Sequence, residues 1–232
     1  METAETGSFL KSAIISLYLV LALWIVKVIE FKYHIDFSEY GLVPRSMEGL
    51  PGIFTSPFIH ADLGHLTSNS VPLFISGIML WYFFPSLANR VILFVYLITG
   101  IGVWLLARPA HHIGASGVVY GLISFLFFSG VFRKDRRLMG LSALVVFLYG
   151  SLIWGIFPII PNVSWESHLV GLMVGILCAY IFRKQGPQPV KYAVEDEEDE
   201  PDDEDPYWEE EKPQPAPMKI VYLYKPDEEA GS

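Results

Sequence analysis

The sequence predicts an all-α membrane protein: a bundle of six transmembrane helices followed by an acidic C-terminal tail without a fold of its own. Three observations carry this. Of the 232 residues, 52% are apolar and the mean hydropathy is positive, although the last fifth of the chain is densely charged. Six apolar segments come close to the ~20 residues a helix needs to cross a ~30 Å hydrocarbon layer. The charge is also split. Residues 1–184 carry 12 Lys/Arg and 9 Asp/Glu and residues 185–232 carry 4 and 16, so the net charge of −9 is +3 on the body and −12 on the tail.

After a short N-terminal segment, residues 1–10, the first span is placed at 12–31. Its apolar stretch "SAIISLYLVLALWIVKVI" follows Lys11 as in a secretory signal. It has no small-residue cleavage site and is too long for such a signal, so it is read as a retained helix. A long loop leads to the second span at 65–84. The others follow at 91–107, 116–132, 138–160 and 164–182, which makes residues 11–184 the membrane domain. Cys178 is the only cysteine, so no intramolecular disulfide and no thiolate-metal chemistry is expected.

The tail, residues 185–232, opens "QGPQPVKYAV" and continues "EDEEDEPDDEDPYWEEE". That composition cannot bury enough apolar surface to offset its chain entropy, so the tail is predicted to be disordered. It leaves room for a cytoplasmic partner: "MKIVYLY" (218–224) is either a strand that adds to a partner's sheet edge or an island in a solvated tail. No internal repeat, phosphate loop or nucleic-acid-binding pattern is present.

Orientation follows from the basic loops, which tend to stay cytoplasmic. With the N-terminus inside, the inner loops hold Lys11, Arg90, Arg133, Lys134, Arg136, Arg137, Arg183 and Lys184. The outer loops hold Lys32, Arg45 and Arg108. Both termini are therefore predicted to be cytoplasmic. The same topology puts the start of the second span (His65), the start of the fourth (Ser116) and the first turn of the sixth (His168) in one layer of the outer half of the membrane.

Polar groups in lipid are costly unless paired. They mark function, or they join helices by hydrogen bonds, and either reading fits each of these residues alone. Their combination says more. Ser116 lies in Gly114-Ala115-Ser116-Gly117, where small neighbours admit other backbone and a helix start leaves N–H groups free for a developing oxyanion. Gly117 and Gly121 make a smooth stripe on that helix, and His168, Gly171 and Gly175 share a face of the last one. If the stripes meet, Ser116 and His168 come together, a poor nucleophile beside the usual base. Tyr120, one turn below Ser116, either supports the imidazole or packs in the membrane. His65 and Asn69 share a face and can both donate to an oxyanion. A metal site is not expected, because no His-Glu-x-x-His pattern is present and His60 and His65, near Asp62, are poorly spaced for one face. No cofactor is expected either.

These residues resemble the rhomboid family of intramembrane serine proteases. The matching features are His-x4-His-x3-Asn (His60, His65, Asn69), Gly-x-Ser-Gly (Gly114 to Gly117) with Tyr120 four residues after the serine, and His-x2-Gly-x3-Gly (His168, Gly171, Gly175). Their order on the second, fourth and sixth of six helices is also similar. The resemblance covers roughly residues 10–184. It implies Ser116 as nucleophile and His168 as general base in a dyad, and an oxyanion hole of His65, Asn69 and the Ser116 backbone N–H, with His60 near that hole. Glu166, two residues from His168, should face another side of the helix, so no triad acid is expected. One departure is the loop "GLVPRSMEGLPGIFTSPF" (41–58), which has no tryptophan where many bacterial members carry a Trp-Arg pair.

The implied activity is serine endopeptidase hydrolysis, through an acyl-enzyme, of transmembrane protein substrates cut in or near their membrane segments. The implied setting is a bilayer, expected to be a bacterial cytoplasmic membrane, with the site opening outward. A rhomboid-like chaperone or scaffold that binds transmembrane segments without cutting them is the alternative, and the presence of both Ser116 and His168 argues against it. A small transporter would show inverted repeats or broken helices in both halves, and neither is seen.

Overall fold

The structure is a computed structural model that describes residues 7–159 and 163–188. The chain divides into units Met1–Val190 and Lys191–Ser232. All described residues fall in the first unit. The predicted disordered tail beyond residue 188 and its 218–224 piece lie outside the described residues.

The described chain is helical. Its helices are α1 (Phe9–Tyr33), the short α2 (Gly52–Thr55), α3 (Leu63–Phe83), α4 (Ala88–Leu106), α5 (Ser116–Arg133), α6 (Arg136–Tyr149) and α7 (Trp165–Ile181). Four spans are long and apolar enough to cross a membrane: α1, α4, α5 and α6 with its extension to Ile156. The shorter α7 is apolar too. At 21 residues α3 is long enough, but its first half carries His65, Thr67, Ser68, Asn69 and Ser70.

Helix ends follow local chemistry. Asp62 caps α3 by accepting from the His65 amide at 2.8 Å, and Asp135 caps α6 by accepting from Arg137 and Leu138. The predicted fifth helix, 138–160, is shorter than expected. Its α-helical part ends at Tyr149 and the chain tightens into a 3₁₀ segment, Gly150–Ile156. Glycines at 150 and 155 weaken the helix, and Pro158 pushes the residue before it out of helical geometry.

At the centre lies α5, packed most extensively on α7 and also touching α3, α4 and α6. Two-thirds of its apolar stretch is buried, 67% against 17% for α1. The α5/α7 seam is backbone on backbone. A Cβ on Gly171 would overlap the carbonyl of Gly117, and one on Gly175 would overlap that of Gly121. Val91, Val95, Leu122, Phe125 and Leu126 fill the space around the seam.

The loop between α1 and α3 is pinned to the end of α4. Arg45 donates to the carbonyls of Leu105 and Ala107 at 3.2 and 2.8 Å, and the Trp104 indole donates to Ser46 O at 2.9 Å. An isolated antiparallel bridge joins Leu42 to His112 in the turn leading to α5.

Candidate active site

Ser116 is the first residue of α5 and follows Gly114, whose φ of +105° favours glycine. That conformation turns the chain sharply from the bridge at His112 into the helix. Gly114 also has to be small: a Cβ there would come 2.7 Å from the His65 ring. Ala115 supplies no side-chain cap, and the first amides of α5, as at any helix start, have no helical acceptor.

His168 sits on the first turns of α7, opposite Ser116 across the glycine seam. Its Nε2 is 2.8 Å from Ser116 Oγ. Its Nδ1 is 2.8 Å from the Gly155 carbonyl. The Tyr120 ring stacks on the imidazole at 4.2 Å with planes 8° apart, and the Tyr120 hydroxyl donates to Leu152 O at 2.6 Å. Glu166 does not reach His168. It lies 3.5 Å from Arg108 Nε, buried at 7% exposure.

On the α3 side, Asn69 is buried and its amide donates to the His65 carbonyl at 2.8 Å. An Asn amide has two N–H donors, so one remains while the other fixes the group. Neither ring nitrogen of His65 has a hydrogen-bond partner among the described residues. Both side chains line a cavity of about 920 Å³ that also exposes Ser116, Tyr120 and His168. Pro72 lines it too, and because proline lacks an N–H, the Ser68 carbonyl loses its helical donor there.

His60 sits behind the cavity, 1% exposed. The Ala115 amide donates to its Nε2 at 3.4 Å, so the proton is on Nδ1, 3.3 Å from the Phe58 carbonyl. Burial, with His65 adding to it, pushes its pKa down to about 4. From α1, Lys27 reaches over to the His60 and Ala61 carbonyls at 2.7 and 3.2 Å and to Glu30 at 2.9 Å. The turn before α3 is thereby held from two sides.

The structure thus brings Ser116, His168, Tyr120, His65 and Asn69 to one cavity and keeps His60, Gly117, Gly171 and Gly175 as packing behind it. Sequence reasoning did not single out Gly155 and Leu152, which act through backbone carbonyls. Nor did it find a role for His112, whose ring joins Ser164 Oγ at 2.6 Å and Arg108 O at 2.9 Å. The His111-His112 pair beside Arg108 was the available signal for that. Among the described residues no three His, Cys, Asp or Glu side chains gather as metal ligands.

Residues 48–185 match the Rhomboid domain family. The chain belongs to the rhomboid family. It is a multi-pass integral membrane protein, and rhomboid relatives occur in bacteria. An uncharacterized protein of Mycobacterium tuberculosis is 29% identical over 171 residues, 70% of this chain and 71% of the relative. One of Mycobacterium leprae is 28% identical over 190 residues, 78% and 75% of the two chains. Rhomboid protease GlpG of Serratia proteamaculans is 31% identical over 131 residues, covering 53% of this chain and 45% of that rhomboid.

Proposed function

We propose that this rhomboid is an intramembrane serine endopeptidase that hydrolyses peptide bonds in or near transmembrane segments of membrane proteins. The single observation that carries the reading is the 2.8 Å approach of His168 Nε2 to Ser116 Oγ in a cavity that both residues line. In this mechanism His168 takes the Ser116 proton as Oγ bonds to the substrate carbonyl carbon. The oxyanion meets the Ser116 amide, His65 and the second N–H of Asn69. His168 then gives its proton to the leaving amine as the peptide C–N bond breaks. A water, deprotonated by the same imidazole, cleaves the ester and restores Ser116.

The substrate has to be extended at the cut, because a helix hides its carbonyl carbons from attack. In this reading α1, α3, α4, α5, α6 with its extension, and α7 are the six crossings. Residues 11–184 form the protease domain, both termini are cytoplasmic and the cavity opens outward, as the basic loops suggest. The bilayer and transmembrane substrates are the partners.

The test is cleavage of a model transmembrane substrate by detergent-purified protein, with fluorophosphonate labelling alongside. Wild type is expected to cut and to label at Ser116, and folded Ser116→Ala and His168→Ala to do neither. Cleavage by Ser116→Ala, or a wild type that neither labels nor cuts, sinks the protease reading and favours a scaffold that binds transmembrane segments.

A further inference from the structure

We infer that the backbone carbonyl of Gly155 positions His168, as the acceptor that fixes the tautomer and orientation of its ring. The inference rests on the protease reading of the same site and extends it to a residue outside the sequence motifs.

A serine-activating histidine must present a bare nitrogen to the hydroxyl, and the tautomer is set by what the other ring nitrogen meets. At 2.8 Å from Nδ1 stands a carbonyl oxygen, which only accepts. The proton therefore sits on Nδ1 and the Nε2 lone pair faces Ser116 Oγ. Elsewhere a carboxylate performs this task. Here the nearby carboxylate, Glu166, is turned to Arg108, and the acceptor is neutral main chain.

Two further observations show that position 155 is built for this contact. A Cβ on Gly155 would overlap the Tyr120 hydroxyl and stand 3.1 Å from His168 Nδ1, so a glycine is what lets this strip of backbone approach. The 3₁₀ segment is also fastened one turn earlier, where Tyr120 donates to Leu152 O. Tyr120 therefore holds both partners of the contact, the imidazole by stacking and the segment by its hydroxyl. Gly155 is a positioning residue acting through its carbonyl.

The test alters that carbonyl and no side chain. In full-length protein, Ile156 is replaced by its α-hydroxy acid through nonsense suppression, which converts the 155–156 amide to an ester and weakens the Gly155 carbonyl as an acceptor. The same exchange at Phe157 perturbs the segment but spares that carbonyl. Two quantities are read: the rate of fluorophosphonate labelling at Ser116, and the Nδ1 proton resonance of His168 in ¹⁵N-histidine protein, assigned with His168→Asn.

The expected result is labelling slowed about tenfold at Ile156 and much less at Phe157. The low-field Nδ1 proton should move upfield only in the first variant. An unchanged resonance, or equal effects of both esters, overturns the inference. If wild type neither labels nor cuts, the protease reading falls by itself, and the resonance still reports whether Gly155 holds the ring.

Discussion

The Tyr120 ring lies parallel to the His168 imidazole at 4.2 Å while its hydroxyl reaches past to the Leu152 carbonyl at 2.6 Å. One side chain thus sets the plane of the imidazole and holds down the segment beside it. Tyr120→Phe keeps the stack and loses one hydrogen bond, so labelling at Ser116 should slow about three- to tenfold. Tyr120→Ala removes both supports and should cost about 10²-fold. Equal rates for the two variants would mean that the stack contributes nothing.

Glycine spacing should govern stability as well as rate. Gly171→Ala places a methyl against the Gly117 carbonyl, and neither backbone can yield by changing a rotamer. The expected loss is ~1–3 kcal/mol with slower cleavage. Gly140→Ala on α6 meets nothing within 4 Å and should be neutral or gain up to ~1 kcal/mol in helix propensity. Thermal unfolding in detergent checks both.

Acid sensitivity should trace partly to His60. Its folded pKa, about 4, lies below the ordinary ~6.5, so the unfolded chain binds the extra proton between those values. Stability from the neutral ring is complete above pH ~6.5 and is lost as pH falls toward 4, a loss of order a few kcal/mol. Protonation also turns Nε2 from acceptor to donor against the Ala115 amide. The stability gap between wild type and His60→Asn should therefore shrink from pH 7 to pH 4 in denaturant titrations. A constant gap argues against a neutral buried ring.

The Lys27–Glu30 pair on α1 should behave as a coupled unit. Lys27→Met leaves Glu30, 6% exposed, with the Phe37 amide as its remaining partner, and releases the His60 and Ala61 carbonyls. Because Lys27 is partly exposed and the Phe37 amide still holds Glu30, the expected loss is ~1–3 kcal/mol. Lys27→Met with Glu30→Gln should recover part of that loss, and a double-mutant cycle in mixed micelles measures the coupling. Strict additivity would mean that the pair is idle.

The parts of this molecule legible in sequence are those encoded by side-chain identity and period. The glycines at 117, 121, 171 and 175 announce two faces able to touch, and the structure has those backbones in contact. Length and hydropathy locate five of the six spans to within a few residues, and overrun the fifth, whose α-helix ends at Tyr149. What stayed hidden is main chain. Gly155 and Leu152 contribute only carbonyl oxygens, which every residue has, and their placement follows from the tightening of the chain after Tyr149. The roles of Lys27 and His112 were hidden for a different reason: each joins segments more than thirty residues apart, a distance that no local pattern reports.

Because the α5/α7 seam has no side chains between its backbones at Gly117 and Gly171, it has no slack. A seam of leucines would absorb a tilt of one helix by rotamer changes, and the helix ends would drift apart by fractions of an ångström. Here any lean imposed by the surrounding lipid must carry both helices together like the two leaves of a glued joint. The 2.8 Å gap between Ser116 on one leaf and His168 on the other is then insulated from the mechanical state of the membrane.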